Sequence, residues 1–181
     1  GLVTIGSLAE MKGGSLGEIE VDRAARQVLG ALDAAHAKGI FHGTLSADEV
    51  LVDRFGKAML ELPGLKRAMS HHDEHTPSAD AVQVRREVAS VAALVFQLLT
   101  GREPTESDRG RLGLRISRFD PQWDRWLARG LDPIGGYATA KEAIAALPSQ
   151  RRDDEREEAE ESSTIRVVLR SLLAPLVRRD D

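Results

Sequence analysis

"AAHAKGIFHGTLSADEVLVDRFGKAMLELPG" (Ala34–Gly64) decides how the rest of the chain is read. Its front end closes a helix. Upstream, apolar side chains fall at Val21, Ala24, Ala25, Val28, Leu29, Leu32 and Ala35, the three-and-four spacing that gives a helix one buried face, and Gly39 is placed to cap its C-terminus. The back end holds two short apolar runs, "VLV" and "AMLEL", on either side of "DRFGK", a turn signal suited to a small hairpin between Val50 and Leu62. Between helix and hairpin lies "HGTLSADE" (His42–Glu49), the loop that connects them.

Outward from this stretch the chain is mainly helical. Residues 1–17 are punctuated by glycine, with "LVTIG" a strand end and "GSLAEMKGG" a short helical turn. "LKRAMSHHDEHTPSAD" (Leu65–Asp80) has no period and is expected to be a loop. Arg85–Thr100 is apolar almost all the way round, which predicts a central helix buried on every side rather than a surface helix. "QWDRWLARGL" sets Trp123, Trp126 and Leu127 on one helical face; those tryptophans suit a core face better than a partner anchor. "ATAKEAIAAL" gives another helix before Pro148.

The totals narrow the function classes. A chain of 181 residues with 41% hydrophobic content suits one domain with an appendage, and the 4% aromatic content favours helices over a β-sandwich. The absence of cysteine excludes disulfides, thiolate zinc sites and a cysteine nucleophile. No apolar run approaches the ~20 residues that cross a bilayer, so the expected setting is cytoplasmic, or the cytoplasmic portion if the chain belongs to a longer membrane protein. The net charge of -4 is concentrated in "RRDDEREEAEE" (Arg151–Glu161), which sets three arginines against seven acids. The remainder is near neutral and lacks a basic stripe, which argues against a nucleic-acid partner.

Taken in order, these elements resemble the C-terminal lobe of a bacterial eukaryotic-type Ser/Thr protein kinase, over roughly residues 5–147. "AARQVLGALDAAHAKGIFHGTL" is similar to the helix that leads into the catalytic loop, and "FGKAMLELPGLKRA" stands where the strand pair ending in D-F-G would be. "REVASVAALVFQLLTGREP" resembles the buried pillar helix, and "LDPIGGYATAKEAIAAL" the closing helix. The resemblance implies a mainly α fold, a kinase-like C-lobe with a small β-hairpin, at residues 1–148. An acidic linker at 149–161 and an extra amphipathic helix at 162–181 would follow.

It also implies loss of catalysis. His42 keeps the histidine of H-R-D, but the arginine is replaced by Gly43 and the catalytic aspartate by Thr44, whose hydroxyl is too weak a base. The catalytic-loop lysine becomes Ser46 and the metal-ligating asparagine becomes Glu49. Leu62 and Pro63 replace the aspartate and phenylalanine of D-F-G, leaving only Gly64, and leucine cannot ligate a hard cation. N-lobe motifs do not occur before Val21. The buried ion pair between an A-P-E glutamate and an arginine before the closing helix has lost both halves, the arginine position being Gly136. Among scaffold positions, the pillar-helix aspartate is replaced by Glu87.

The expectation is therefore a pseudokinase: not an enzyme, without cofactor, acting as a binding, regulatory or scaffolding module. The alternatives are a divergent nucleotide-dependent enzyme completed by an N-lobe outside this sequence, or a structural oligomerisation unit. His71, His72 and His75 are weak metal candidates, since adjacent ligands on a loop rarely meet around one ion. Ile165, Val168, Leu169, Leu172, Leu173 and Leu176 form a partner-binding stripe, which would fold back on the lobe, dock a protein or form a homodimer; a membrane role requires a longer chain. Thr164, after the acidic run, is a phosphosite candidate as well as a helix cap, so another kinase or a phosphothreonine-reading domain would be its partner.

Overall fold

The computed structural model describes residues 1–43, 45–60, 77–109 and 119–148. Through them run β1 (Val3–Thr4), α1 (Ile5–Met11), α2 (Glu18–His36), β2 (Val50–Val52), β3 (Ala58–Leu60), α3 (Pro77–Thr100), α4 (Pro121–Gly130) and α5 (Ala140–Ala145). The protein is thus mostly helical with one small antiparallel sheet among the described residues. The acidic linker, Thr164 and the C-terminal apolar stripe lie outside them.

The seven apolar positions expected on α2 are all buried. The helix starts at Glu18, three residues before Val21, because the Gly17 N–H donates to the Glu20 carboxylate at 3.2 Å and satisfies an end group that would otherwise be orphaned. At its other end Gly39 has φ +66°, and the N–H groups of Gly39 and Ile40 reach back to the carbonyls of His36 and Ala35 at 3.0 Å each. That pair of bonds is a Schellman motif, and glycine is the residue that adopts its left-handed turn without cost.

The expected hairpin is present, but β1 enlarges it to three strands in the order β1-β2-β3. Val3 lies opposite Val52, and Leu51 opposite Met59. Val50 and Val52 are buried, while Leu51 between them points to the other face, as strand alternation requires. A two-residue strand is too short to show that alternation in sequence. Thr4 ends it and at once caps α1, its hydroxyl accepting from the Ser7 N–H at 3.1 Å.

The central helix α3 corrects the loop expected up to Asp80: it begins at Pro77, eight residues before Arg85. Proline is favoured in a first helical turn, where its missing N–H has no partner to lose. From Glu87 to Thr100 no residue is exposed, so the helix is the buried pillar that its composition predicts. Helix α2 packs on α3 and α5, and α4 lies against α3. The last contact is close: a Cβ added to Gly130 would stand 2.6 Å from the Ala92 methyl. Trp123 and Trp126 are core residues, edge to face at 5.9 Å, and the Trp126 indole N–H donates to the Ala143 carbonyl at 2.9 Å, tying α4 to α5.

Candidate functional site

The loop between α2 and β2 is held from below by one carboxylate. Glu87, on α3, has 0% exposure. Its Oε1 accepts the Gly43 N–H at 2.7 Å and the Gln83 amide at 3.1 Å; its Oε2 stands 2.7 Å from His36 Nε2, and the His42 N–H also donates to it. Burial alone would push this carboxyl up, yet the donors from His36, Gly43, Gln83 and His42 outweigh it and hold Glu87 below the ordinary glutamate value. The His36 ring lies 5.8 Å from Phe41, which closes the cluster on one side. Gly43 has φ +101°, a conformation in which glycine is unstrained and a side chain is not.

Beyond Gly43 the loop is anchored by Leu45, which is buried, and then makes a reciprocal turn. The Ser46 N–H donates to the Glu49 carboxylate at 2.7 Å and the Glu49 N–H to the Ser46 carbonyl at 3.2 Å. The Glu49 carboxylate therefore serves the turn that carries it. On the opposite side, α1 sits directly on the loop: the Gly6 N–H donates to the Ala47 carbonyl at 3.1 Å, and a Cβ on Gly6 would come within 3.2 Å of the Ala47 methyl.

Of the positions singled out in the sequence, His42, Gly43, Ser46 and Glu49 are thus brought together on one loop, over Glu87. Thr44, Leu62, Pro63, Gly64, His71, His72 and His75 lie outside the described residues. Among the described residues no group of three or more His, Asp or Glu side chains is arranged to hold a metal ion, and no helix is long and apolar enough to cross a membrane. Gly136, which the resemblance sets at an arginine position, is closed in: a Cβ there would stand 2.8 Å from the Asp132 carbonyl oxygen. Beside it Tyr137 is buried, which pushes its phenol up to about 12, and the Arg129 guanidinium lies 4.5 Å from its ring centre while pairing with Glu142.

Two polar groups were not anticipated. Gln83 supports Glu87 from one helical turn away, a spacing legible only once the helix is extended to Pro77. Past the C-terminus of α3, Arg102 clasps Asp108 with two bonds of 2.7 and 3.1 Å; the Thr105 N–H and hydroxyl add bonds of 2.8 and 2.9 Å. The Arg102 hydrogen bond above all holds the Asp108 carboxyl well below the usual range, despite burial that raises it. The T-x-x-D spacing of Thr105 and Asp108 was its sequence signal.

No family model matches the chain. It is 29% identical to the serine/threonine-protein kinase PknL of Mycobacterium tuberculosis over 84% of its own length and 51% of that protein. It is 28% identical to CBL-interacting serine/threonine-protein kinase 1 of Arabidopsis thaliana, over 71% of this chain and 34% of that one. With PknD of Mycobacterium tuberculosis the identity is 29%, over 67% of this chain and 23% of the kinase. The chain thus spans about half the length of PknL, and less of the others. These similarities, over most of the chain, relate it to the Ser/Thr protein kinases.

Proposed function

We propose that this kinase-like domain works by contact with a protein partner and does not transfer phosphate. The observation that carries the reading is the occupation of the loop's own groups. Phosphoryl transfer needs a base and oxygen ligands for magnesium aimed at the nucleotide. Here Glu49, at the metal-ligand position, is bonded to the Ser46 N–H, and the Gly43 N–H is bonded to Glu87. Thr44 and Leu62, at the positions of the base and the second metal ligand, have side chains unsuited to either task. What remains is a framework: Glu87, His36 and Gly39 shape the path of the loop.

The length of the relatives sets the competing reading, a divergent kinase completed by a further lobe. Both are tested on the full-length gene product with radiolabelled ATP and magnesium, using a generic basic protein as acceptor and scoring autophosphorylation alongside. The expected result is no transfer above a sample denatured beforehand, and no rise in melting temperature with ATP and magnesium. Reproducible transfer, abolished by removing magnesium, overturns the proposal.

A further inference from the structure

The tip of the β2–β3 hairpin differs from the rest of the surface in two independent ways. The chain has four phenylalanines, two tryptophans and one tyrosine, and of these only Phe55, 71% exposed, stands out in solvent. Three exposed cations share the hairpin tip with it. The Arg54 guanidinium lies 4.6 Å from the Phe55 ring centre; Lys57 follows in the same turn; and Arg23, from α2, reaches across so that its Nη1 lies 3.0 Å from where a Gly56 Cβ would be. Two acids are near and offset part of this charge, Asp53 in the field of Lys57 and Arg54 and Glu20 in that of Arg23, and both are also held by hydrogen bonds. Asp53 accepts the Phe55 and Lys57 N–H groups at 2.8 and 2.9 Å, and Glu20 accepts the Gly17 N–H and pairs with Lys12. Among the described residues no carboxylate is in ion-pair contact with Arg23, Arg54 or Lys57.

The tip is rigid enough to present these groups. Asp53 fixes the turn from inside, Gly56 at φ +77° supplies its left-handed corner, and the Ala58 N–H donates to Gln27 of α2, so the hairpin base is bonded to the helix behind it. An exposed aromatic ring with an arginine stacked on it is a preorganised contact surface, since neither side chain need be ordered on binding.

From this juxtaposition we propose that the Arg23–Arg54–Phe55–Lys57 tip is a docking point for a short acidic peptide segment of a partner protein, with an apolar side chain covering Phe55. Charge complementarity selects an acidic partner, and scale selects a short one. A peptide within a Debye length, about 8 Å at physiological salt, senses the local positive field. An extended polyanion such as a nucleic acid or an anionic membrane gains little more beyond the tip, because the chain outside the acidic run is near neutral and has no basic stripe. The proposal goes beyond the loss of catalysis and does not depend on it.

The test is fluorescence anisotropy of the full 181-residue chain with a labelled peptide of glutamates interspersed with leucines. Parallel arms use phosphatidylserine vesicles and a single-stranded oligonucleotide. Saturable peptide binding is expected, weakening with salt. It should weaken further by roughly tenfold or more in Arg54→Glu/Lys57→Glu and several-fold in Phe55→Ala, the size expected for losing desolvated charge pairs and an aromatic contact. Phe55 is exposed, so thermal melts of Phe55→Ala should match the parent. Absence of peptide binding, binding unchanged in these variants, or tighter binding to vesicles or oligonucleotide than to peptide overturns the proposal.

Discussion

Two buried carboxylates in this chain do opposite kinds of work. Among the described residues Asp108 gathers its donors from Arg102 and Thr105, within six residues, so its clasp is a local knot after α3. Glu87 gathers donors from His36, His42, Gly43 and Gln83, and its most distant partner is 51 residues away. The first would form in almost any context that brought one turn together. The second exists only when α2, the loop and α3 are already assembled, and it ties the loop's path to the core. The loop between α2 and β2 is therefore positioned at Gly43 by a tertiary contact, while Ser46 and Glu49 satisfy one another locally.

The sharpest way to break this comparison is Glu87→Ala. It strands two backbone N–H groups and the side chains of His36 and Gln83 in a buried site, at an expected cost of about 3–5 kcal/mol in urea-unfolding free energy. A loss no greater than that of an Asp108 variant would show the two carboxylates to be equivalent. Next in size is Gly130→Ala, which would push a methyl to 2.6 Å from Ala92 and should destabilise by about 1–3 kcal/mol. Pairing it with Ala92→Gly should recover part of that loss, and a double-mutant cycle reads the coupling. Asp108→Asn should cost about 1–2 kcal/mol, since Arg102 is half exposed and water can replace its lost partner.

The smallest effect is one of pH. Glu87 is held below its ordinary value when folded, so its contribution is fully present above the unfolded glutamate value of about 4.3 and is lost as pH falls through the folded value. The stability gap between the parent and Glu87→Gln, measured by chemical denaturation along a pH series, should therefore narrow below about pH 4. A gap that stays constant would mean that the charge on Glu87 is immaterial.

How much of this was legible depends on the range of the interaction. The apolar spacing of α2, the all-round apolar character of α3 and the glycine at the end of α2 were readable because each is a local pattern repeated over several turns. The strand end in "LVTIG" was readable too, but its pairing with β2 was not, because two residues carry no period that sets a register. The start of α3 was hidden by polar residues, Ser78, Asp80 and Gln83, whose helical state depends on what the later turns bury. At the site, the residue types on the loop could be read off letter by letter. That Glu49 turns back to its own loop, and that Gly136 is too tightly enclosed for a side chain, could not.

The sequence by itself determined where the body of each main helix runs and which face of it is apolar, because periodicity and capping act within a few residues. It also determined which chemical groups exist on the loop. Only the tertiary structure decided what those groups are bonded to: a donor and acceptor 44 residues apart, such as Gly43 and Glu87, meet because helices pack, and packing depends on shape across the whole core.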